Sequence, residues 1–350
     1  MEKNYIEVFE KAITENTKII FLAGDLFHKV TYLNTEELEA AMRFIMYLFG
    51  IAKKRSIYLR ILRGTFTHDN RQLNTLIPIA EQFGALKGTP LIKIVTSIEV
   101  EELCDLTVLY KPDNCGFKDA YSVIREKLDL LNISKVDLFV NHGYLAPLIP
   151  AGLPIEPENS FTVEELNSFV KGITLNGHIH ERIELPHILN SGCVESSRFD
   201  EMGEKGISRV TYDRTTCAYT TDFIINTNST IFEELILPEN TTWEECKDTV
   251  LVFRDMLLQK KTRNNTIHIR VRTDDKELFM ACRELFMVKG RFRVKHIHRT
   301  KNVKEYKLTI QQIKLKNIIT EDNFVEHVAK TLNDRTISTT FIKEVITKQQ

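Results

Sequence analysis

Two domains of α/β class are what this 350-residue sequence predicts, and three observations carry the expectation. Between residues 18 and 177, short apolar runs alternate with amphipathic stretches, the pattern of strands joined by helical crossovers. The chain exceeds one average domain, and a hydrophobic content of 43% is ordinary for a sizeable core. Around Leu237-Pro238-Glu239-Asn240 the composition breaks, and a second alternation of helical and strand patterns follows. We therefore expect domains over 1–237 and 238–350.

Residues 5–13 open the chain as an amphipathic helix with no strand before it. Strands are expected at 18–23, 57–62, 91–96, 106–110, 136–141 and 173–176, each a compact apolar run. Between them, 35–49, 74–83 and 118–131 carry apolar residues at helical spacing, and Asn34 with Glu37 three residues on resembles a capping box. After His180, the runs 187–190 and 207–212 read as strands of a second sheet. Beyond the break, 243–260 reads as a helix, 266–272 as a strand, 276–287 as a helix and 291–298 as a strand, which makes a small α/β module.

Composition excludes some classes of function. The longest uncharged apolar run, 44–52, is far shorter than the roughly 20 residues that cross a bilayer, and the first 15 residues are charged rather than signal-like. We expect no membrane association and a cytoplasmic protein. Six cysteines without a C-x-x-C pair read as reduced thiols. The net charge of −1 is unevenly spread, because 251–316 holds 18 Lys and Arg against 6 Asp and Glu, a local +12 that leaves −13 elsewhere. The carboxy-terminal third is thus suited to a polyanion.

The residues with chemistry to offer follow strands directly: Gly24-Asp25, Gly64 to Asp69, His142-Gly143 and Gly177 to His180. In open α/β sheets ligands bind at the carboxyl ends of the strands, so four loops converge on one edge. Phosphodiester hydrolysis needs a nucleophile at neutral pH and neutralisation of phosphoryl charge, and two cations about 3.5–4 Å apart supply both. Such a site needs a bridging carboxylate and several imidazoles on rigid strand ends, and those residue types occur here in those places.

Quoted in full, the segments are FLAGDLFH (21–28), RGTFTHDN (63–70), VNHGY (140–144) and NGHIH (176–180). Their order and spacing resemble the calcineurin-like metallophosphoesterases, and within them the SbcD-type DNA-repair nuclease branch; LNSGCVESSRFDEMGEKGI (189–207) resembles the segment that closes the second sheet there. The resemblance implies a sandwich of two β-sheets flanked by helices, with a small α/β capping domain that guides DNA. It makes Asp25 the bridging carboxylate, His142 and His178 ligands of the second metal, and His180 a ligand of the first. It makes His68 the residue that contacts phosphate and protonates the leaving oxygen, a task requiring the cationic ring, and Asp69 the residue that orients it. Manganese is the implied metal. DNA, an SbcC-type coiled-coil ATPase and a second copy of the chain are the implied partners, with 3′-to-5′ exonuclease and single-strand endonuclease activity.

Two departures stand out. The branch has asparagine before the histidine of the third segment, where this chain has Thr67, a weaker oxygen ligand for a hard cation. The branch also begins with a strand ending in Asp-x-His that supplies two ligands of the first metal, and none precedes the opening helix. Either the start lies downstream of the true one, or the upstream piece is missing or encoded separately. The alternative to an active nuclease is accordingly a catalytically impaired subunit that binds DNA and its partner. A small-molecule phosphodiesterase of the same superfamily is the third reading, disfavoured by the basic module.

The remaining candidates have plainer explanations. Arg291, Arg293 and Lys295 alternate with apolar residues as on a half-exposed strand, and phosphate contact is their functional role. His296 and His298 read as solvated or DNA-facing side chains, and His28 as a neighbour of the site.

Overall fold

A computed structural model of the chain describes residues 2–27, 36–69, 72–113, 119–149, 160–199, 201, 203–260, 262, 266–287 and 290–297. Among them are seven α-helices and several sheets, a mixed α/β architecture. The chain divides into two compact units, Met1–Ser229 and Thr230–Gln350. No helix of the described residues is long and apolar enough to cross a membrane. The capping residue Asn34, His28 and His298 lie outside the described residues.

The first unit is built on two sheets. Ile19–Leu22, Tyr58–Leu62 and Ile92–Val95 pair in parallel, with Tyr58–Leu62 in the middle. The second sheet has six strands, in the order Ile183–Leu185, Ile188–Asn190, Val170–Gly177, Val136–His142, Leu106–Lys111 and Glu99–Leu103. Its four inner strands are parallel, and its two outer ones run antiparallel to their neighbours.

Alternation along the strands explains the layers. Val108, Tyr110, Leu138 and Val140 share one core with Ile20, Leu59 and Ile61 of the smaller sheet. Leu109 and Phe139, one position out of step, point the other way, into a core with Ile124 and Leu128 of helix Ala120–Leu130 and Phe169 of helix Val163–Phe169. Val136–His142 is consequently buried at every position, as a parallel strand covered on both faces must be. The outer face of the smaller sheet is covered by helix Glu36–Arg55, whose Ile45, Leu48 and Phe49 are fully buried. Helix Glu2–Ala12 packs on that helix and on the hairpin Gly206–Asp213/Ala218–Ile225.

A buried ion pair ties the sheets together. Arg60, on the middle strand of the small sheet and fully buried, donates from Nε and Nη2 to the two oxygens of Glu101, both at 2.8 Å. Tyr110 Oη donates to the same carboxylate at 3.0 Å.

In the second unit, Ile231–Ile236, Ile267–Arg272 and Phe292–Ile297 form a three-stranded parallel sheet. Leu235, Ile269 and Val271 face Val250, Phe253 and Leu257 of helix Trp243–Leu258 and Cys282 of helix Lys276–Leu285. Because Ile231–Ile236 pairs in register with Ile267–Arg272, the units divide before this strand, not after it at the compositional break.

Candidate metal centre

Strand ends from both sheets of the first unit meet at three glycines. A Cβ on Gly177 would lie 2.0 Å from Ala23 O, one on Gly24 2.1 Å from His142 Nδ1, and one on Gly64 2.1 Å from Asp25 N. These contacts leave no room for a side chain at the three positions, and glycine there lets the loops carrying Asp25, His142 and His178 approach one another. Asp25 adopts the left-handed region with φ 52°, and His178 does so with φ 84°, conformations that a non-glycine residue keeps only where its surroundings enforce them.

Asp25 is held from two directions. Its Oδ1 accepts from Thr65 N at 2.6 Å and Thr65 Oγ1 at 2.8 Å, and lies 3.3 Å from His142 Nε2. Burial pushes the Asp25 carboxyl toward the neutral form, but His142 and the Thr65 bonds override it and hold its pKa well below the usual range.

His142 is fully buried, with Nδ1 2.5 Å from Ala23 O. A carbonyl only accepts, so Nδ1 carries hydrogen and Nε2 faces Asp25. That approach has the distance of an ion pair but not the alignment of a hydrogen bond, so among the described residues Nε2 has no hydrogen-bond partner, and neither does the buried Nδ1 of His178. Burial lowers the pKa of His142, yet Asp25 and the Ala23 carbonyl outweigh it and the net shift is upward. His178 shifts downward, through burial first and then the neighbouring His142. The two rings are 5.2 Å apart edge to face, and Tyr144 abuts His178 at 4.5 Å.

Asp25, His142 and His178 each offer a ligand atom within 4.8 Å of the others, and each of the two histidines has a buried ring nitrogen without a hydrogen-bond partner among the described residues, a set that fits a divalent cation. His180, Cys193 and Glu201 form a second group of the same dimensions. A cavity of about 430 Å³ joins the two, lined by Asp25, Thr67, His68, His178 and His180, with Arg198 and Glu201 on its wall. A smaller cavity of about 260 Å³ lies by Val170, at the opposite end of the strand that leads to His178, and among the described residues its lining, which includes Lys135, Asn167, Lys171 and His187, has no carboxylate.

The expected residues fare differently. Asp25, His142 and His178 come together, His180 and His68 share their cavity, and His68 Nδ1 is 3.8 Å from Asp25 Oδ2. Thr67 is exposed on the cavity lining, whereas the threonine that bonds Asp25 is Thr65. Among the described residues Asp69 bonds to backbone and not to the His68 ring. Fully buried, it accepts from Phe27 N at 3.1 Å and Gly64 N at 2.7 Å, which fastens the Asp25 loop to the His68 loop. Burial raises its pKa, against the opposing pull of those two bonds.

In the second unit Arg293 and Lys295 are exposed, but Arg291 is buried and its Nη2 donates to Leu257 O and Lys260 O at the end of helix Trp243–Leu258. His296 is half-buried rather than an outward-facing side chain, since its ring stacks on Phe279 at 4.3 Å and Nε2 bonds Thr273 O at 2.9 Å.

Several site residues escaped the sequence reading. Glu201 bonds His180 Nδ1 at 2.6 Å and Arg198 Nε at 3.2 Å. Burial opposes its charge, but His180 and Ser197 prevail and its pKa falls far below the usual range. Behind the histidines, Asn141, Asn176 and Asn190 sit side by side on three parallel strands and bond in sequence at 2.6 and 2.9 Å. The signal for that ladder was available, because each of the three apolar runs ends in asparagine. The chain matches no protein-family model, and no curated protein matches it.

Proposed function

We propose that the chain is a metal-dependent phosphodiesterase that cleaves DNA, the nuclease subunit that its four loop segments resemble. One arrangement carries the reading: Asp25, His142 and His178 cluster at ligand spacing, with two buried ring nitrogens lacking a hydrogen-bond partner, beside a cavity that His68 and Arg198 also line. Asp25, His142 and His178 would hold one cation, and Asp25 with His180 would contribute to a second. Manganese is the metal the resemblance implies. Bound cations at such a centre neutralise charge on the phosphoryl group and provide a nucleophile at neutral pH.

The remaining chemistry belongs to the chain itself. Thr65 fixes the Asp25 carboxylate, and the Ala23 carbonyl fixes the ring of His142. His68 faces the cavity, where its ring can contact phosphate and pass a proton to the departing sugar oxygen. Arg198 offers a guanidinium suited to phosphate oxygens. DNA as the substrate is supported by the basic balance of residues 251–316 and by exposed Arg293 and Lys295. Work as a dimer with an SbcC-type ATPase follows from the resemblance alone.

The purified chain incubated with manganese and labelled linear DNA tests the reading. Cleavage is expected, and His68→Ala should slow it by about 100-fold or more. Equal rates in the two proteins would reject catalysis by this site.

A further inference from the structure

We propose that Glu201 is a positioning residue of the metal centre: it grips His180 through Nδ1–H, so that Nε2 is the ring atom offered to the cation. The inference rests on the functional reading above for the presence of that cation. A carboxylate can only accept, so the 2.6 Å contact between Glu201 Oε1 and His180 Nδ1 places the proton on Nδ1 and leaves the lone pair of the neutral ring on Nε2. An imidazole braced in this way is fixed in tautomer and aim, and its other nitrogen becomes the stronger donor to a metal.

The remaining bonds of Glu201 argue for bracing rather than ligation. Its Oε2 accepts from Ser197 N at 2.6 Å and Ser197 Oγ at 3.0 Å, and Oε1 also accepts from Arg198 Nε at 3.2 Å. Four donors thus engage a carboxylate whose side chain is only 4% exposed. Ser196 Oγ donates to Glu201 O at 2.9 Å and secures the backbone. The main chain of His180 is clamped as well, its carbonyl accepting from Lys205 Nζ at 3.0 Å, Cys193 N at 3.3 Å and Cys193 Sγ at 3.4 Å. Cys193 therefore belongs to the support of His180. With backbone and ring both held, the freedom left to His180 is the direction of Nε2, and Glu201 sets it.

Three forms of the full chain decide the matter: wild type, His180→Ala and Glu201→Gln. Manganese binding is followed by calorimetry and by the resonance of free manganese, and the His180 ring nitrogens by nitrogen-15 chemical shifts of the metal-free protein in mildly alkaline buffer. Wild type should bind manganese, and His180→Ala should lose one equivalent. Glu201→Gln should retain that equivalent with about 10–100-fold weaker affinity and show mixed His180 tautomers where wild type shows Nδ1–H alone. If Glu201→Gln does not fold, Glu201→Asp takes its place; one methylene shorter, it releases Nδ1, and the same losses are expected. Wild-type affinity and a single tautomer in the Glu201 variant, with His180→Ala impaired, overturn the role of Glu201 and leave the functional reading intact. Absence of manganese binding by wild type overturns both.

Discussion

Behind its carboxylate the centre has almost no slack, and Gly24 measures how little. A Cβ there would collide with the His142 nitrogen that bonds Ala23, in a backbone conformation, φ +89°, that side chains disfavour. Gly24→Ala should therefore destabilise the protein by about 1–3 kcal/mol and, if His142 ligates manganese as proposed, weaken that binding by at least about 10-fold, since its ring is displaced. Urea unfolding and calorimetry would check both, and a folded variant with undiminished affinity would mean that His142 is not held as described. At this scale the sequence was partly legible. Asp25, His142, His178 and His180 could be picked out because each directly follows an apolar strand. Glu201 could not, because it reaches His180 from a loop 21 residues later and a lone glutamate has no periodicity to betray it. That Thr65 bonds Asp25, and that backbone N–H groups bond Asp69, depends on the path of one turn, which local sequence does not set.

Elements follow apolar periodicity, and most strands and helices lie where that pattern places them. The misses have local causes. Glu99–Leu103 is rich in glutamate and unlike a buried strand, yet it forms a hairpin with Leu106–Lys111 across Cys104 and Asp105, both at positive φ. Positive φ at both central positions is the geometry of a two-residue hairpin turn, which favours glycine or asparagine, so the sequence hid it. Helix Val163–Phe169 is short but carried a readable start, as Thr162 and Glu165 form a capping box. The acidic strand also explains how the sheets are joined, because Glu101 is the partner of buried Arg60. Burial raises the pKa of Glu101, but Arg60 reverses this and the net shift is below the ordinary 4.5. The folded state thus gains stability from the ionised acid above that value and loses it as pH falls toward the depressed one. Melting temperature should drop steeply below about pH 4.5, and less so in Arg60→Met/Glu101→Leu, where both partners are apolar. Removing Arg60 alone should cost about 3–5 kcal/mol, because a buried carboxylate is left unpaired. Parallel acid slopes in wild type and double variant would show that the pair does not govern the transition.

On the scale of the whole molecule, each unit has its own hydrophobic core and its own task. The first carries the side-chain cluster that could hold a cation; the second presents Arg293 and Lys295 on a strand whose neighbouring Arg291 is spent on helix-end carbonyls. Alternating basic residues were readable in the sequence, but which of them faces solvent was not. If the exposed two meet phosphates, Arg293→Ala/Lys295→Ala should weaken DNA binding uniformly across sequences and flatten its dependence on log salt by about 2. Filter binding over a salt series would measure the slope, and one equal to wild type would remove these residues from the DNA path. Arg291→Ala should instead lower the stability of the second unit, by loosening the end of helix Trp243–Leu258.

The upward shift at His142 has a thermodynamic corollary. If Nε2 of His142 ligates a cation as proposed, any proton that the neighbouring carboxylate helps the ring to hold is given up on coordination, and loading the centre then releases acid. Titrations of manganese in buffers with different heats of ionisation should accordingly give different apparent enthalpies, with the gap widening as the solution becomes more acidic. Identical heats in phosphate and in Tris would mean that the cation enters without competition from hydrogen ions.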